Sequence, residues 1–348
     1  MISRRFKIFS LTLLILFSSC LNNKAEAIPE IFARSYIVID SDSGRIIGSG
    51  NPNEKLPIAS TTKILTAILA IENIENIETR IEVPAKCVGI EGSSIYLQPK
   101  QIVSVKDLLY GTMLRSGNDA AATLSAFAER NSEDGFVDMM NKKAAELGAL
   151  NSNFVNPHGL HDNEHYSTAY DLALISRYAM KNDTFKTISS TERYMAESLN
   201  TVFYNKNKVV YQYEYGNGIK IGYTQAAGRC LVASAEKDGT EIIVVVLNDG
   251  NWFQDSYKIF DWAFENYKTW QIVEEGQFAG RASDGTPVFI SDSFSYLMTE
   301  EEKDKIRFQT NITTPLILNK DSRVVCGEYS IYLGNELIHS GSLVTENK

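Results

Sequence analysis

Ser60 and Lys63 stand three residues apart in Ala59-Ser60-Thr61-Thr62-Lys63. A helix over this stretch sets the hydroxyl and the amine on one side of its first turn. Ile64, Leu65, Ile68 and Leu69 follow at the spacing of one apolar helix face, and Pro57 stands where a helix start is expected, so the spacing predicts a helix from Ser60 to about Glu72. Serine is a weak nucleophile until a neighbouring base takes its proton. A lysine serves as that base when burial or a second cation lowers its pKa. Alone, Ser-x-x-Lys is more often an N-cap serine beside a solvated lysine, so the chemistry depends on partners further along the chain.

Two further stretches offer partners. Ser104-Val105-Lys106-Asp107 has a capping-box-like start and opens a helix carrying Leu108, Leu109 and Met113 inward. That pattern breaks at Arg115-Ser116-Gly117-Asn118, and a second apolar helix begins at Asp119. Ser116 and Asn118 therefore sit on a tight helix–helix connection, where Ser, Gly, Asn and Asp also serve as ordinary caps. Later, Gly218-Ile219-Lys220-Ile221-Gly222 leads as a strand into Tyr223 and Thr224.

The surrounding elements give a mixed fold. Residues 35–40 and 45–47 read as a hairpin about Ser41-Asp42-Ser43-Gly44, and 80–83 and 92–97 as short strands. Helices are expected over 134–148, closed by Gly148, and from Thr168 through Tyr178. Residues 230–235 and 241–247 flank an Asp238-Gly239 turn, with 242–247 as a buried central strand. A helix over 255–267 turns Ile259, Phe260, Ala263 and Phe264 inward. Beyond 268, strand-like runs at 288–290, 306–308, 329–333 and 336–338 make a small β-rich domain without recognisable chemistry, where His339 reads as a surface residue.

The N-terminus differs from the rest. Arg4, Arg5 and Lys7 precede an uncharged apolar run from Ile8 to Phe17, the pattern of a secretory signal and short for a membrane span. Ala25-Glu26-Ala27 offers cleavage after Ala27; Phe17-Ser18-Ser19-Cys20 offers the alternative of a lipidated Cys20. Without residues 1–27 the formal charge of −9 becomes −12, because four bases and one acid leave with them. Such an acidic chain is poorly suited to nucleic acid or anionic lipid. The end of the chain, Leu343 to Lys348, has no amphipathic helix, so any membrane tether is expected at the N-terminus, uncleaved or lipidated.

Cys87, Cys230 and Cys326 are too few and too scattered for a disulfide framework or a cysteine-built zinc site, although one pair is open to them. His158, His161 and His165, with Asp162 and Glu164 nearby, have metal-ligating side chains. They lie on a Gly/Pro/Asn-rich loop and not at i, i+4 on a helix, so no metal and no cofactor is expected.

Ser60-x-x-Lys63, Ser116-Gly117-Asn118 and Lys220-x-Gly222 occur in the order of the motif set of penicillin-binding proteins and β-lactamases. With Asn156-Pro157-His158-Gly159-Leu160 and Tyr166-Ser167-Thr168-Ala169, the chain resembles the serine D-alanyl-D-alanine carboxypeptidases, the low-molecular-mass penicillin-binding proteins, from about Ala33 to Tyr267. The resemblance implies an α/β (α+β) catalytic domain of the serine β-lactamase/transpeptidase type, with an antiparallel sheet and a helical subdomain, then a small all-β domain. The division expected is a signal peptide at 1–27, the catalytic domain at 28–268 and the β domain at 269–348. The resemblance implies Ser60 as nucleophile, Lys63 as base, Ser116 as proton relay, and Asn118 and Lys220 holding substrate. It also implies an oxyanion hole from the amides of Ser60 and Tyr223, with Gly222 and Thr224 on the same substrate strand. The implied substrate is a peptidoglycan stem peptide, and β-lactams would acylate the same serine outside the cytoplasmic membrane.

One position departs from the family. The third motif is usually Lys-Thr-Gly or Lys-Ser-Gly, and here it is Lys220-Ile221-Gly222. Losing one charge-assisted hydrogen bond to the substrate carboxylate costs on the order of 1.5–3 kcal/mol, roughly ten- to a hundredfold in rate. Thr224 and Arg229 are candidates to replace it. The departure keeps open a catalytically silent peptidoglycan-binding relative; a β-lactamase-like hydrolase is disfavoured by the Ser-Gly-Asn motif and the C-terminal β domain.

Overall fold

The computed structural model describes residues 27–318 and 324–345; the expected signal segment lies almost wholly outside them. In chain order the elements are β1 (Ser35–Asp40), β2 (Ile46–Gly50), α1 (Lys63–Asn73), β3 (Arg80–Glu82), β4 (Ile102–Ser104), α2 (Val105–Leu114), α3 (Asn118–Ala128), α4 (Phe136–Glu146), α5 (Ala169–Met180), α6 (Asp183–Ser190), β5 (Arg193–Ala196), β6 (Thr201–Tyr204), α7 (Val209–Gln212), β7 (Gly216–Thr224), β8 (Gly228–Lys237), β9 (Thr240–Leu247) and α8 (Trp252–Asn266). There follow β10 (Lys268–Val273), β11 (Phe278–Arg281), β12 (Pro287–Ile290), β13 (Phe294–Met298), β14 (Ile306–Leu318), β15 (Val324–Leu333) and β16 (Glu336–Thr345).

The central sheet is antiparallel, in the order β2-β1-β9-β8-β7. Alternation along its strands divides the core. Ile243, Val245 and Leu247 join Cys230 and Val232 beneath the helices α1 to α6, while Ile242, Val244 and Val246 join Leu231 and Ala233 against α8. Both faces of β9 are covered, which accounts for an apolar run with no polar alternation. Strand β7 is one edge of the sheet, and the 59–62 turn, α6 and α7 pack beside it.

Several expectations are corrected. Ser60 lies in a 3₁₀ turn, Ala59–Thr62, and the α-helix proper begins at Lys63. Ala59 takes a left-handed φ of +48°, which tightens the entry. In 3₁₀ geometry residues i and i+3 eclipse, so Ser60 and Lys63 align more closely than on an α-helix. Helix α1 is buried on all sides from Lys63 to Ala70, because it runs through the middle of the helical layer. Residues 92–97 form no strand; they are an irregular loop bound to a carboxylate. The segment 181–217 holds α6, β5, β6 and α7, none of them among the elements expected above. The Ser104 and Thr168 side chains cap α2 and α5, accepting from Asp107 N and Asp171 N.

After α8, the order β11-β12-β16-β15-β14 makes a second antiparallel sheet, and β10 pairs with β13. His339 is half-buried here, not a free surface residue: it stacks on Phe294 and lies 3.0 Å from both Tyr329 Oη and Asp292 Oδ2. Cys87, Cys230 and Cys326 are buried free thiols, so the pairing left open is not made. Among the described residues no helix is long and apolar enough to cross a membrane.

Candidate active site

Lys63 is the hub. Its side chain is fully buried, with Nζ 3.0 Å from Ser60 Oγ, 2.7 Å from Asn118 Oδ1 and 2.5 Å from the His158 carbonyl oxygen. No carboxylate pairs with it among the described residues. Burial first, then the charges of Lys220 and Lys206, hold its pKa well below the ordinary lysine value, opposed by Asp119. Lys220 is equally enclosed, and burial followed by the Lys206 charge lowers it to about 7. Its Nζ donates to the Ile221 carbonyl at 3.0 Å.

The second motif is held from two sides. Ser116 has a left-handed φ of +63° and is 5% exposed. Gly117 N donates to Gly111 O and Asn118 N to Ser93 O. Asn118 Nδ2 donates to Glu91 O at 2.6 Å, which orients its Oδ1 toward Lys63. The next residue, Asp119, is buried and accepts from Ser94 Oγ, Ile95 N and Leu97 N. One carboxylate thus fastens the 93–97 loop to the start of α3.

The Ser60 turn is buttressed from behind. Thr62 Oγ1 donates to Ala59 O, and His165 Nε2 lies 2.8 Å from the same hydroxyl. The hydroxyl's one proton goes to Ala59, so His165 donates from Nε2. Its Nδ1 is then free to accept from Val155 N at 3.2 Å. Burial depresses His165 to about 4, as it does His158, so both rings are neutral at pH 7. Gly159 carries a φ of +83°, and a Cβ there would sit 1.9 Å from Ala59 O; only glycine lets this loop close on the turn. Among the described residues no cluster of three His, Cys, Asp or Glu side chains is placed to hold a metal ion.

Strand β7 closes the other wall. Arg229 O turns away from β7, toward the segment just after β9, where it accepts from Asp249 N. Tyr223 lies opposite Arg229, so in antiparallel alternation its own N–H and C=O point off the free edge of β7. The Ser60 amide belongs to a first turn, whose N–H groups have no intrahelical acceptor. Both proposed oxyanion donors are therefore backbone groups at unpaired positions. Thr224 Oγ1 accepts from Ala227 N. Ile221 is half-buried and packs against the cluster beneath α8. Arg229 also belongs to that face by alternation, and it donates to Gly250 O and covers the Trp252 ring.

The sequence reading did not find the His158 carbonyl, the His165–Thr62 buttress, the Asp119 latch or Lys206. The first is a backbone atom, for which no side chain gives a signal. Lys206 offers one: it is a cation with no acid nearby in sequence.

Three comparisons point to one family. The D-alanyl-D-alanine carboxypeptidase family model, peptidase S11, matches residues 22–251. The D-alanyl-D-alanine carboxypeptidase DacF of Bacillus subtilis is 32% identical over 323 residues, covering 84% of this chain and 83% of that one. DacB2 of Mycobacterium tuberculosis, also named a D-alanyl-D-alanine carboxypeptidase, is 32% identical over 253 residues, covering 68% and 84%. The solved structure of penicillin-binding protein 5 from Haemophilus influenzae superposes with a TM-score of 0.77 at 26% identity, covering 93% of this chain and 99% of that one. With its three motifs gathered around one buried lysine, this chain belongs to the D-alanyl-D-alanine carboxypeptidase family, peptidase S11.

Proposed function

We propose that the chain removes the terminal D-alanine from peptidoglycan stem pentapeptides through an acyl-enzyme on Ser60. The observation that carries this reading is the surrounding of Lys63 Nζ. Two of its three neighbours, Asn118 Oδ1 and His158 O, only accept hydrogen bonds. A neutral amine has two N–H groups and one lone pair. Donating to both carbonyl oxygens leaves the lone pair for the Ser60 hydroxyl. After taking the serine proton, the ammonium has three donors for the same three oxygens. The site therefore suits Lys63 in both protonation states, as a general base requires.

The remaining roles follow from position. Ser60 Oγ attacks the carbonyl between the last two residues, and the amides of Ser60 and Tyr223 receive the developing oxyanion. Ser116 passes a proton to the departing D-alanine. Asn118 holds Lys63 and the substrate amide, and Lys220 faces the terminal carboxylate from a strand that Gly222 brings against the turn. Water then releases the shortened peptide. β-Lactams acylate the same serine. Action is outside the cytoplasmic membrane, after export directed by residues 1–27, with the catalytic unit at 28–268 and a β-rich unit at 269–348.

The test is fluorescent-penicillin labelling of the chain beside Ser60→Ala, with D-alanine release from a pentapeptide analogue. Label and release in the native chain, both lost in Ser60→Ala, are expected. Label without release would point to a repurposed site, and neither would end the enzyme reading. Rapid penicillin turnover would favour a β-lactamase.

A further inference from the structure

Three exposed tyrosines belong to the elements that build the site. Tyr96 is 83% exposed, the highest value among the exposed large apolar side chains, and Tyr223 and Tyr204 are 65% and 57% exposed. Tyr223 follows Gly222 on the free edge of β7. The Tyr204 carbonyl accepts from Arg115 Nη1, one residue before Ser116.

Tyr96 is the most constrained of the three. Its φ is +63°, a left-handed conformation that a bulky residue rarely holds without support. The support is Asp119, whose carboxylate takes the amides of both neighbours, Ile95 and Leu97. Tyr96 N is itself held by Ser94 Oγ at 2.8 Å. The ring is thus presented to solvent from a fastened backbone, not from a loose loop. It is also close to the chemistry. Ser93 O accepts from Asn118 N at 2.7 Å, and three residues of chain span at most roughly 11 Å. A rigid exposed aromatic within this reach of the site is a binding surface awaiting an apolar face.

The two terminal D-alanines, on the reading given above, occupy the space between Ser60 and β7. What lies beyond them differs in shape. The peptide offers charges and single methyl groups. The N-acetylated amino sugar that carries it offers flat C–H faces that suit the negative face of a ring, with hydroxyls for the phenol. We propose that Tyr96 forms an aromatic lip that receives the saccharide bearing the stem peptide, so that the enzyme favours glycan-borne peptides over free ones. This rests on the carboxypeptidase reading.

The experiment compares D-alanine release from a disaccharide-pentapeptide and from the free pentapeptide, with penicillin acylation as the check on the catalytic centre. The wild type should prefer the disaccharide substrate. Tyr96→Ala should lower its kcat/KM roughly five- to tenfold, mostly through KM, with free-peptide and penicillin rates held. Tyr96→Phe should keep most of the preference. Equal losses on both substrates, loss on neither, or a wild type indifferent to the sugar would each overturn the proposal. A wild type that acylates with penicillin but releases D-alanine from neither substrate would instead overturn the reading beneath it.

Discussion

Gly222 lies directly against Ser60. A Cβ added at Gly222 would stand 2.8 Å from the Ser60 amide nitrogen and 3.1 Å from the Ile58 carbonyl oxygen. The backbone of Gly222 has no positive φ to excuse glycine, so the requirement is space alone. The strand that positions substrate and the turn that carries the nucleophile come into close contact at this residue. Gly222→Ala must therefore move one of them. Displacement of about 1 Å costs on the order of 10²-fold in rate. The expected outcome is a penicillin acylation rate down by about that factor with circular dichroism unchanged. An acylation rate near wild type would show that the wall yields.

The two buried lysines set opposite limbs of the pH profile. Lys63 must be neutral to accept the serine proton, and its pKa is lowered by burial and by Lys220 and Lys206. Lys220 must be charged to hold a carboxylate, and burial lowers it to about 7. In the free enzyme kcat/KM should fall as pH rises through about 7, because Lys220 discharges. A bound carboxylate favours its charged form, so the alkaline limb of kcat should lie higher. Lys220→Arg, whose charge does not titrate in this range, should remove the alkaline fall near 7. If that fall persists in the variant, it belongs to another group.

His165 links pH to the Ser60 turn through stability. In the unfolded chain a histidine has a pKa near 6.5; in the fold it is about 4. Between these values the unfolded chain binds a proton that the folded chain refuses, so stability rises with pH. The contribution is complete above 6.5 and is lost as pH falls toward 4. Protonation would also set an N–H at Nδ1 against the Val155 amide. The expected result is a Tm that drops from pH 7 to pH 4.5, and a shallower drop in His165→Gln, where the side-chain amide keeps a donor toward Thr62. Equal slopes in the two proteins would assign the acid sensitivity elsewhere, His158 being the next candidate.

Part of this site was legible in the sequence, and the division has a physical cause. Ser60, Lys63, Ser116, Asn118 and Lys220 were picked out because their side chains have distinctive chemistry at motif spacing. The His158 carbonyl is a backbone atom, whose direction is set by the fold; the Tyr223 amide is another, named only through the family resemblance. Residues 92–97 resembled a strand because Ile95, Tyr96 and Leu97 favour one; their partner is the Asp119 carboxylate, and no local pattern announces that. The sheet was easier, since the 242–247 run leaves no polar face for solvent. The face taken by Ile221 needed the register of β7 on β8.

That register changes the expectation for Ile221. The side chain packs against the cluster beneath α8, so its size is used. Ile221→Thr removes a half-buried methylene, which alone costs about 0.5–1.5 kcal/mol in a core, and puts a hydroxyl where a methyl was. A β-branched residue on an edge strand still has a second branch to turn toward the open side, where a hydroxyl can meet the substrate carboxylate. Arg229 cannot replace it from its place over Trp252. The variant should therefore melt a few degrees lower and release D-alanine with a kcat/KM up to about tenfold higher. An unchanged or lower kcat/KM would show that another group already holds the carboxylate.

Arg45 ties the first hairpin to the C-terminal β region. Its guanidinium pairs with both Glu302 oxygens, at 2.5 and 3.1 Å, and also donates to the Leu297 carbonyl. The rings of Tyr267 and Tyr296 lie 5.8 and 5.2 Å from it. Burial works against both charges, and the mutual hydrogen bonds outweigh it, raising Arg45 and lowering Glu302. Removing one partner leaves the other largely enclosed, which is the costly way to break such a pair. Arg45→Ala should thus destabilise more than Glu302→Gln, whose amide keeps an acceptor for the guanidinium. Because the contacts of the Arg45 guanidinium are with Glu302, Leu297, Tyr267 and Tyr296 and with no motif residue, penicillin acylation at 25 °C should be unchanged in both. Thermal melts and acylation rates of the two variants decide it: a larger loss in Glu302→Gln would mean that the carboxylate charge carries the pair and that the contacts with Leu297 and the rings do not hold the guanidinium without it.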